Sequence, residues 1–288
     1  MEKNAVNQQE WTMEITPKRK FFSLGLRDLW RYRDLYSIYV VRNITTMYKQ
    51  TVLGPLWFFI EPVFSIVMYM MVFGGLAHIS TDDIPQPLFY MSGILLWNYF
   101  SSCFNSTANV LAGNAGIFGK VYFPRLVIPF AAITSNLLKM GVQIIMFIGI
   151  YLYYVFAEGT HICPNWTLAL FPLYIVILAL TGMSWGLIIT SMTTKYRDLR
   201  MFVGFMLRLF MYATPVIYPM SIAKGNSYGE LLKYNPISPF FEAFRYGATG
   251  VGMFDWKWML YGVACMIVTL LFGALVFNKV EKNFIDTV

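Results

Sequence analysis

Apolar runs of about 20 residues recur along the chain with short polar gaps between them, the length that crosses roughly 30 Å of hydrocarbon at 1.5 Å per helical residue. Six spans are predicted: Pro55 to Ala77, Pro87 to Val110, Leu126 to Phe156, Leu168 to Met192, a shorter one from Met201 to Tyr218, and Trp258 to Phe277. Backbone groups in lipid must be bonded internally, so the spans are expected as helices. The alternating strands of a membrane barrel are not visible. Before the first span, Tyr36, Val40, Ile44 and Met47 recur at spacings of three and four, while Arg42, Thr46 and Lys49 take other faces. That pattern predicts an amphipathic helix over 26–50 lying along the cytoplasmic interface, with Gly54-Pro55 opening the first crossing.

Between the fifth and sixth spans, Pro215, Pro219, Pro236 and Pro239 cut the chain into pieces too short to cross. Phe240, Phe241, Phe244 and Tyr246 are too apolar to be left in water, so short helices dipping into the external leaflet are expected. The fold class is therefore an all-α integral membrane protein with six transmembrane helices, an N-terminal interface helix and short re-entrant external helices. Its expected divisions are a loose N-terminus (1–25), the interface helix (26–53), the transmembrane domain (54–278) and a tail (279–288).

Composition supports the same class. With 57% hydrophobic and 13% charged residues, a soluble globule would have to cover its surface with apolar side chains. Charge adds orientation. Eight bases from Lys18 to Lys49 precede the first span, Lys120 and Arg125 follow the second, Lys195, Arg197 and Arg200 follow the fourth, and Lys279 and Lys282 follow the sixth. Asp82 and Asp83 stand alone after the first, so both termini are expected in the cytoplasm. The segment between the fifth and sixth spans is the external exception, since Glu230, Glu242 and Asp255 offset Lys224, Lys233, Arg245 and Lys257. The net charge of +7 reflects topology and contact with anionic lipid rather than nucleic acid. Cys103, Cys163 and Cys265 are scattered singly, with no metal or disulfide spacing. No cleavable signal peptide is visible, so the first span is expected to direct membrane insertion.

Polar residues at membrane depth need an explanation, because each charge there costs about 2.5–3.5 kcal/mol on insertion scales. Glu61 precedes Pro62 in the first span, Lys139 sits near the middle of the third, and Arg208 is two turns into the fifth. Either salt bridging and snorkelling or a place in a transport path would account for them. The second span carries Ser101, Ser102, Asn105, Ser106, Thr107 and Asn109, which either bond neighbouring helices or line an aqueous path. Gly182 and Gly186 have the GxxxG spacing of close helix packing. Gly113 to Val121 imitates a phosphate-binding loop, but one residue too long and with Val121 where a magnesium-binding hydroxyl is needed. The chain is not expected to hydrolyse ATP, and no acid–base or metal constellation is visible around its two histidines.

The runs Tyr48-Lys-Gln-Thr-Val-Leu-Gly-Pro-Leu-Trp57 and Gly119-Lys-Val-Tyr-Phe-Pro-Arg-Leu126 with Pro129, and the Tyr196-Arg197-Asp198 loop, resemble the membrane subunits of ABC-2-type transporters that export polysaccharides. The resemblance extends from about residue 25 to the end and is nearest to exporters of lipid-linked O-antigen, capsule or teichoic-acid chains. It implies a permease in a bacterial inner or plasma membrane that pairs with a second copy of itself and with two separate ATP-binding subunits. This chain would then carry no cofactor, and ATP and Mg would be bound by the partner.

The resemblance also implies that Asn114, Ala115, Gly116, Ile117, Phe118, Gly119 and Lys120 form a coupling helix, with Tyr196, Arg197 and Asp198 as a second contact to the ATPase. External gate helices would include Pro236, Phe240, Phe241, Phe244 and Tyr246. Aromatic rings pack on the C–H faces of sugars while leaving hydroxyls free, which promotes Trp57, Phe58, Phe64, Tyr69, Tyr212 and Tyr218 as candidates for the substrate path. Lys139 joins them as a base that could meet a phosphoryl group. The alternatives are an ABC-2 drug or small-lipid exporter, a membrane-embedded glycosyl or phosphoglycosyl transferase, and a secondary carrier. The transferase lacks an acidic pair on the cytoplasmic side, and the carrier lacks repeated halves.

Overall fold

The structure is a computed structural model that describes residues 30–49, 53–114, 116, 123–159, 162–193, 198–223 and 227–284. The regular structure among those residues is helical, with no strand. The α-helices of seven residues or more are α1 (Arg33–Tyr48), α2 (Trp57–Tyr69), α3 (Gln86–Ala108), α4 (Val127–Phe156), α5 (Phe171–Thr193), α6 (Leu199–Tyr212), α7 (Ser227–Lys233), α8 (Ser238–Thr249) and α9 (Trp256–Phe284). A 3₁₀ turn, Gly54–Leu56, leads into α2, and the seven residues Met70–Leu76 continue it as π-helix. Ala77 N–H there reaches back five residues to the Val72 carbonyl at 2.9 Å.

Helix α3 is the hub. Sixteen of its 23 residues are buried, because α4 and α5 pack along it, α2 lies beside it and α8 crosses its N-terminal end. Helix α9 covers the far side of α5, and α1 lies on α4. The α3–α5 seam depends on the two glycines read as a packing motif. A Cβ on Gly182 would stand 2.8 Å from the Phe100 carbonyl, and one on Gly186 would stand 2.6 Å from Thr107 Cβ. Gly273 does the same for α9, where a Cβ would meet the Ser184 carbonyl at 2.6 Å.

Among the described residues, four helical stretches are long and apolar enough to cross a bilayer: Gly54–Leu76, Val127–Phe156, Trp166–Thr193 and Trp256–Val280. They match the expected first, third, fourth and sixth spans to within a few residues. The expected second and fifth do not reach that standard. Helix α3 has the length, but it is enclosed by protein and carries hydroxyls and amides where a lipid-facing helix would carry leucine. Helix α6 has 14 residues, about 21 Å of rise. The segment between the expected fifth and sixth spans resolves into Met220–Ala223, α7 and α8, each too short to cross.

The helix before the first span also differs in detail. Tyr36, Val40, Ile44 and Met47 are half-buried, but Tyr39 is the most enclosed residue of α1, and Ile38 and Val41 are exposed. Its apolar residues thus surround it rather than forming one clean stripe.

Candidate translocation path and coupling surface

One face of α2 carries most of the chemistry expected along a path. Trp57, Glu61, Ser65 and Tyr69 recur every four residues and Phe64 lies three after Glu61, so they share one side over about 18 Å. Trp57 and Phe64 are 50% and 67% exposed. With Leu53, Ile60, Glu61 and Ser65 they line an open groove of about 840 Å³. Phe58 is half-buried.

Lys139 on α4 donates from Nζ to Glu61 Oε2 at 3.1 Å. The two unexplained charges of the first and third spans are therefore each other's partner. An exposed pair of this kind is worth about 0.2–1 kcal/mol, yet it relieves the larger cost of leaving either charge alone at membrane depth. The third such charge, Arg208, is exposed on α6.

The remaining rings gather at the other end of α2. Tyr69 donates its hydroxyl to Met211 Sδ at 3.4 Å and meets Phe73 and Tyr90 edge-on. Tyr218 donates to the Tyr212 carbonyl at 2.9 Å, and the Tyr212 ring is exposed. The path candidates thus fall into two groups, Trp57, Phe58 and Phe64 with the ion pair, and Tyr69 with Tyr212 and Tyr218.

Of the expected gate residues, Pro236 and Tyr246 are half-buried and the three phenylalanines are core. Phe240, Phe241 and Phe244 are buried, and Phe244 stacks on Phe171 at 4.6 Å and meets Phe147 at 5.3 Å. Tyr246 stacks on Phe254, and the Pro236 carbonyl lies against Gly262 of α9. These rings face protein rather than an open passage, which satisfies the apolar demand that placed them out of water.

The same helix holds a pair that the charge balance of its segment concealed. Arg245 Nη1 donates to Glu242 Oε1 at 2.7 Å, and both side chains are 1% exposed. Arg245 Nη2 also donates to the Pro215 carbonyl at 2.9 Å, Nε donates to Ser92 Oγ at 3.4 Å, and the guanidinium sits 3.9 Å over the Phe89 ring. Glu242 accepts from Met220 N–H at 3.4 Å. Burial pushes the Glu242 carboxyl up and the Arg245 cation down, while each partner's charge pulls the other back. The pair joins α8, the chain after α6 and the N-terminal end of α3. Beside it Asn235 Nδ2 donates to the Ala213 carbonyl at 2.7 Å, and Ser221 Oγ donates to Asp82 at 2.7 Å. The i, i+3 spacing was its only sequence signal.

On the side where α1 lies, Tyr36 and Thr134 share a 2.6 Å hydroxyl contact, and Ser135 reaches the Val40 carbonyl at 3.4 Å. Arg42 stacks 4.4 Å over Tyr39 and donates to Asn114 Oδ1 at 3.4 Å. A polar crevice of about 320 Å³ opens there between α1, α3 and α4. Asn136 donates to Ser106 Oγ at 3.1 Å, and Ser101, Ser106 and Asn109 bond backbone carbonyls of α3 itself. Ser106 thus ties α3 to α4, while Asn105 and Asn109 remain exposed. Of the expected coupling residues, Asn114 is half-buried, Gly116 is exposed, and Asp198 caps α6 by accepting from Leu199 N–H at 3.0 Å. Ala115, Ile117, Phe118, Gly119, Lys120, Tyr196 and Arg197 lie outside the described residues.

Comparison with known proteins covers nearly the whole of this arrangement. The family profile described as ABC-2 type transporter matches residues 34–249. The O-antigen export system permease protein RfbA of Myxococcus xanthus is 26% identical over 267 residues, covering 91% of this chain and 98% of that protein. A protein of the same name from Klebsiella pneumoniae is 24% identical over 254 residues, covering 88% and 94%. The polysialic acid transport protein KpsM of Escherichia coli is 22% identical over 252 residues, covering 86% and 93%. A match running from α1 through α8 places the chain in the ABC-2 type transporter family, whose membrane subunits associate with ABC ATP-binding subunits.

Proposed function

We propose that the chain is the membrane permease of an ATP-driven exporter that moves polysaccharide, carried on a lipid, out of the cytoplasm. The observation that carries this reading is the end-to-end match to permeases named for O-antigen export and polysialic acid transport. The exposed face of α2 is consistent with it, because rings alternating with a carboxylate and a hydroxyl suit a chain of sugars better than a compact apolar cargo.

In this reading two copies build the conduit between them, and two partner subunits bind ATP and Mg. Helices α3 and α6 complete six crossings, with α7 and α8 dipping into the outer leaflet and both termini inside. The interface helix is α1, within the divisions 1–25, 26–53, 54–278 and 279–288. Residues Asn114 to Lys120 and Tyr196 to Asp198 receive the motion of the ATPases. The outer rings Tyr69, Tyr212 and Tyr218 stand at the exit, and the α8 segment is the gate, moving as a packed unit around its buried rings.

Export of labelled polymer and of labelled drug by the reconstituted complex in vesicles tests the reading. Energy-dependent transport of polymer alone is expected. Transport of the drug alone would replace it with the small-molecule alternative.

A further inference from the structure

Glu61 and Lys139 meet at a depth where neither belongs in lipid. Glu61 lies four residues into α2 and Lys139 twelve residues into α4, about 6 Å and 18 Å of rise from the starts of those helices. Their exposures are unequal: the Lys139 side chain is 23% accessible and the Glu61 side chain 56%. Glu61 also lines the α2 groove, whereas Lys139 does not and approaches from α4 behind it. The carboxylate therefore stands between the groove and the cation.

That asymmetry decides which ion can leave. An exposed carboxylate that swings away is rehydrated, but the more enclosed ammonium is then left at membrane depth without a counter-ion. The ammonium is a compact point charge without the planar fork that would fix one carboxylate in place. An ammonium freed of Glu61 therefore accepts another oxyanion from any direction its three donors can reach. The hydroxyl of Ser65 is committed to the Glu61 carbonyl at 2.8 Å, so the ion pair supplies the charged chemistry of the groove.

Resting on the export reading above, we propose that Glu61 is a displaceable counter-ion and that Lys139 binds an anionic oxygen group of the passing glycan, a phosphoryl or a carboxylate, in its place. A neutral stretch of glycan leaves the pair closed. An anionic group opens it and is held beside the Trp57 and Phe64 rings. The pair thus gives the path a preference for glycans that carry negative charge.

The test uses the complete transporter, permease with its ATP-binding subunits, reconstituted in vesicles. ATPase stimulation is titrated with three glycans of matched length: neutral, phosphodiester-bearing and carboxylate-bearing. The readout is the ratio of half-saturating concentrations, neutral to anionic. Glu61→Gln removes the resident competitor and should raise that ratio about fivefold, the fold-change of an exposed ion pair. Lys139→Met should bring it to one. The exchanged variant Glu61→Lys/Lys139→Glu keeps the ion pair but puts a carboxylate behind the groove, and it should invert the preference.

A salt bridge with a purely structural role predicts that the exchanged variant keeps the wild-type ratio, and that result overturns the inference. A response confined to the phosphodiester arm or to the carboxylate arm supports it and says which group is bound. If no glycan stimulates the wild-type complex, the export reading itself fails, and this differs from stimulation without charge preference.

Discussion

Replacing Arg245 by methionine is the most informative single change in the chain. The substitution keeps much of the volume but removes the 2.7 Å ion pair, the 2.9 Å bond to the Pro215 carbonyl, the Ser92 contact and the cation over Phe89. What remains is Glu242, 1% exposed and without its counter-charge. Breaking a buried pair from one side costs about 3–5 kcal/mol, whereas replacing both partners by uncharged groups is often close to neutral. The double variant Glu242→Gln/Arg245→Met should therefore recover most of the loss, a coupling that a double-mutant cycle isolates.

The pH response has a defined sign. With the guanidinium gone, burial and the nearby Asp82 charge both push the Glu242 carboxyl up from its ordinary 4.5. A carboxyl raised in the folded state holds its proton more tightly there, so the stability of the single variant is full below about 4.5 and is lost as pH rises. Unfolding of the purified chain in mixed micelles by stepwise SDS titration, at acid and neutral pH, measures both effects. A single variant within about 1 kcal/mol of wild type, or a double variant no more stable than the single, would refute the view that this pair clamps α8 to the N-terminal end of α3.

Three further outcomes are expected. Gly186→Leu should lose about 1–3 kcal/mol or more by overpacking against Thr107 and Phe104, while Gly141→Ala, which meets nothing within 4 Å, should melt like wild type; equal melting of the two would contradict the α3–α5 contact. In intact cells a membrane-impermeant maleimide should label Cys163, which is exposed between α4 and α5, and spare buried Cys103, whereas labelling of Cys163 only after permeabilisation would invert the proposed topology. Tyr36→Phe should weaken the seat of α1 on α4 by about 1 kcal/mol, the worth of one hydrogen bond, read as faster proteolytic release of the N-terminal segment; an unchanged release rate would show that the 2.6 Å contact with Thr134 does not hold α1 in place.

How much of this could be read beforehand depended on whether the signal was local. Apolar run length marked α2, α4, α5 and α9 because hydrocarbon thickness constrains each of them separately. The spacing of Gly182 and Gly186 announced a close approach, though not that α3 would be the partner. Glu61 and Lys139 stood out as charges in apolar runs, but 78 residues separate them, and no local rule pairs residues across that distance. Arg245 and Glu242 were hidden for the opposite reason. Their segment looked like a loop of offsetting charges, and only the enclosure of α8 by α3 and the chain after α6 turns an ordinary i, i+3 pair into a buried one. The α8 rings were recognised as needing cover, yet sequence could not say whether protein, lipid or a passage would supply it.

The π-wound stretch Met70–Leu76 carries an excess of chain relative to an ordinary helix, slack of the kind a single inserted residue leaves behind. Shortening the protein by one residue inside that stretch would let it rewind to α geometry and keep both flanks in phase. The same deletion within Trp57–Tyr69 would rotate Trp57 and Glu61 about 100° away from Tyr69 and scatter the rings around the helix. Length variation in the first crossing is thus tolerated at its C-terminal tip and penalised along the row of aromatic side chains that precedes it.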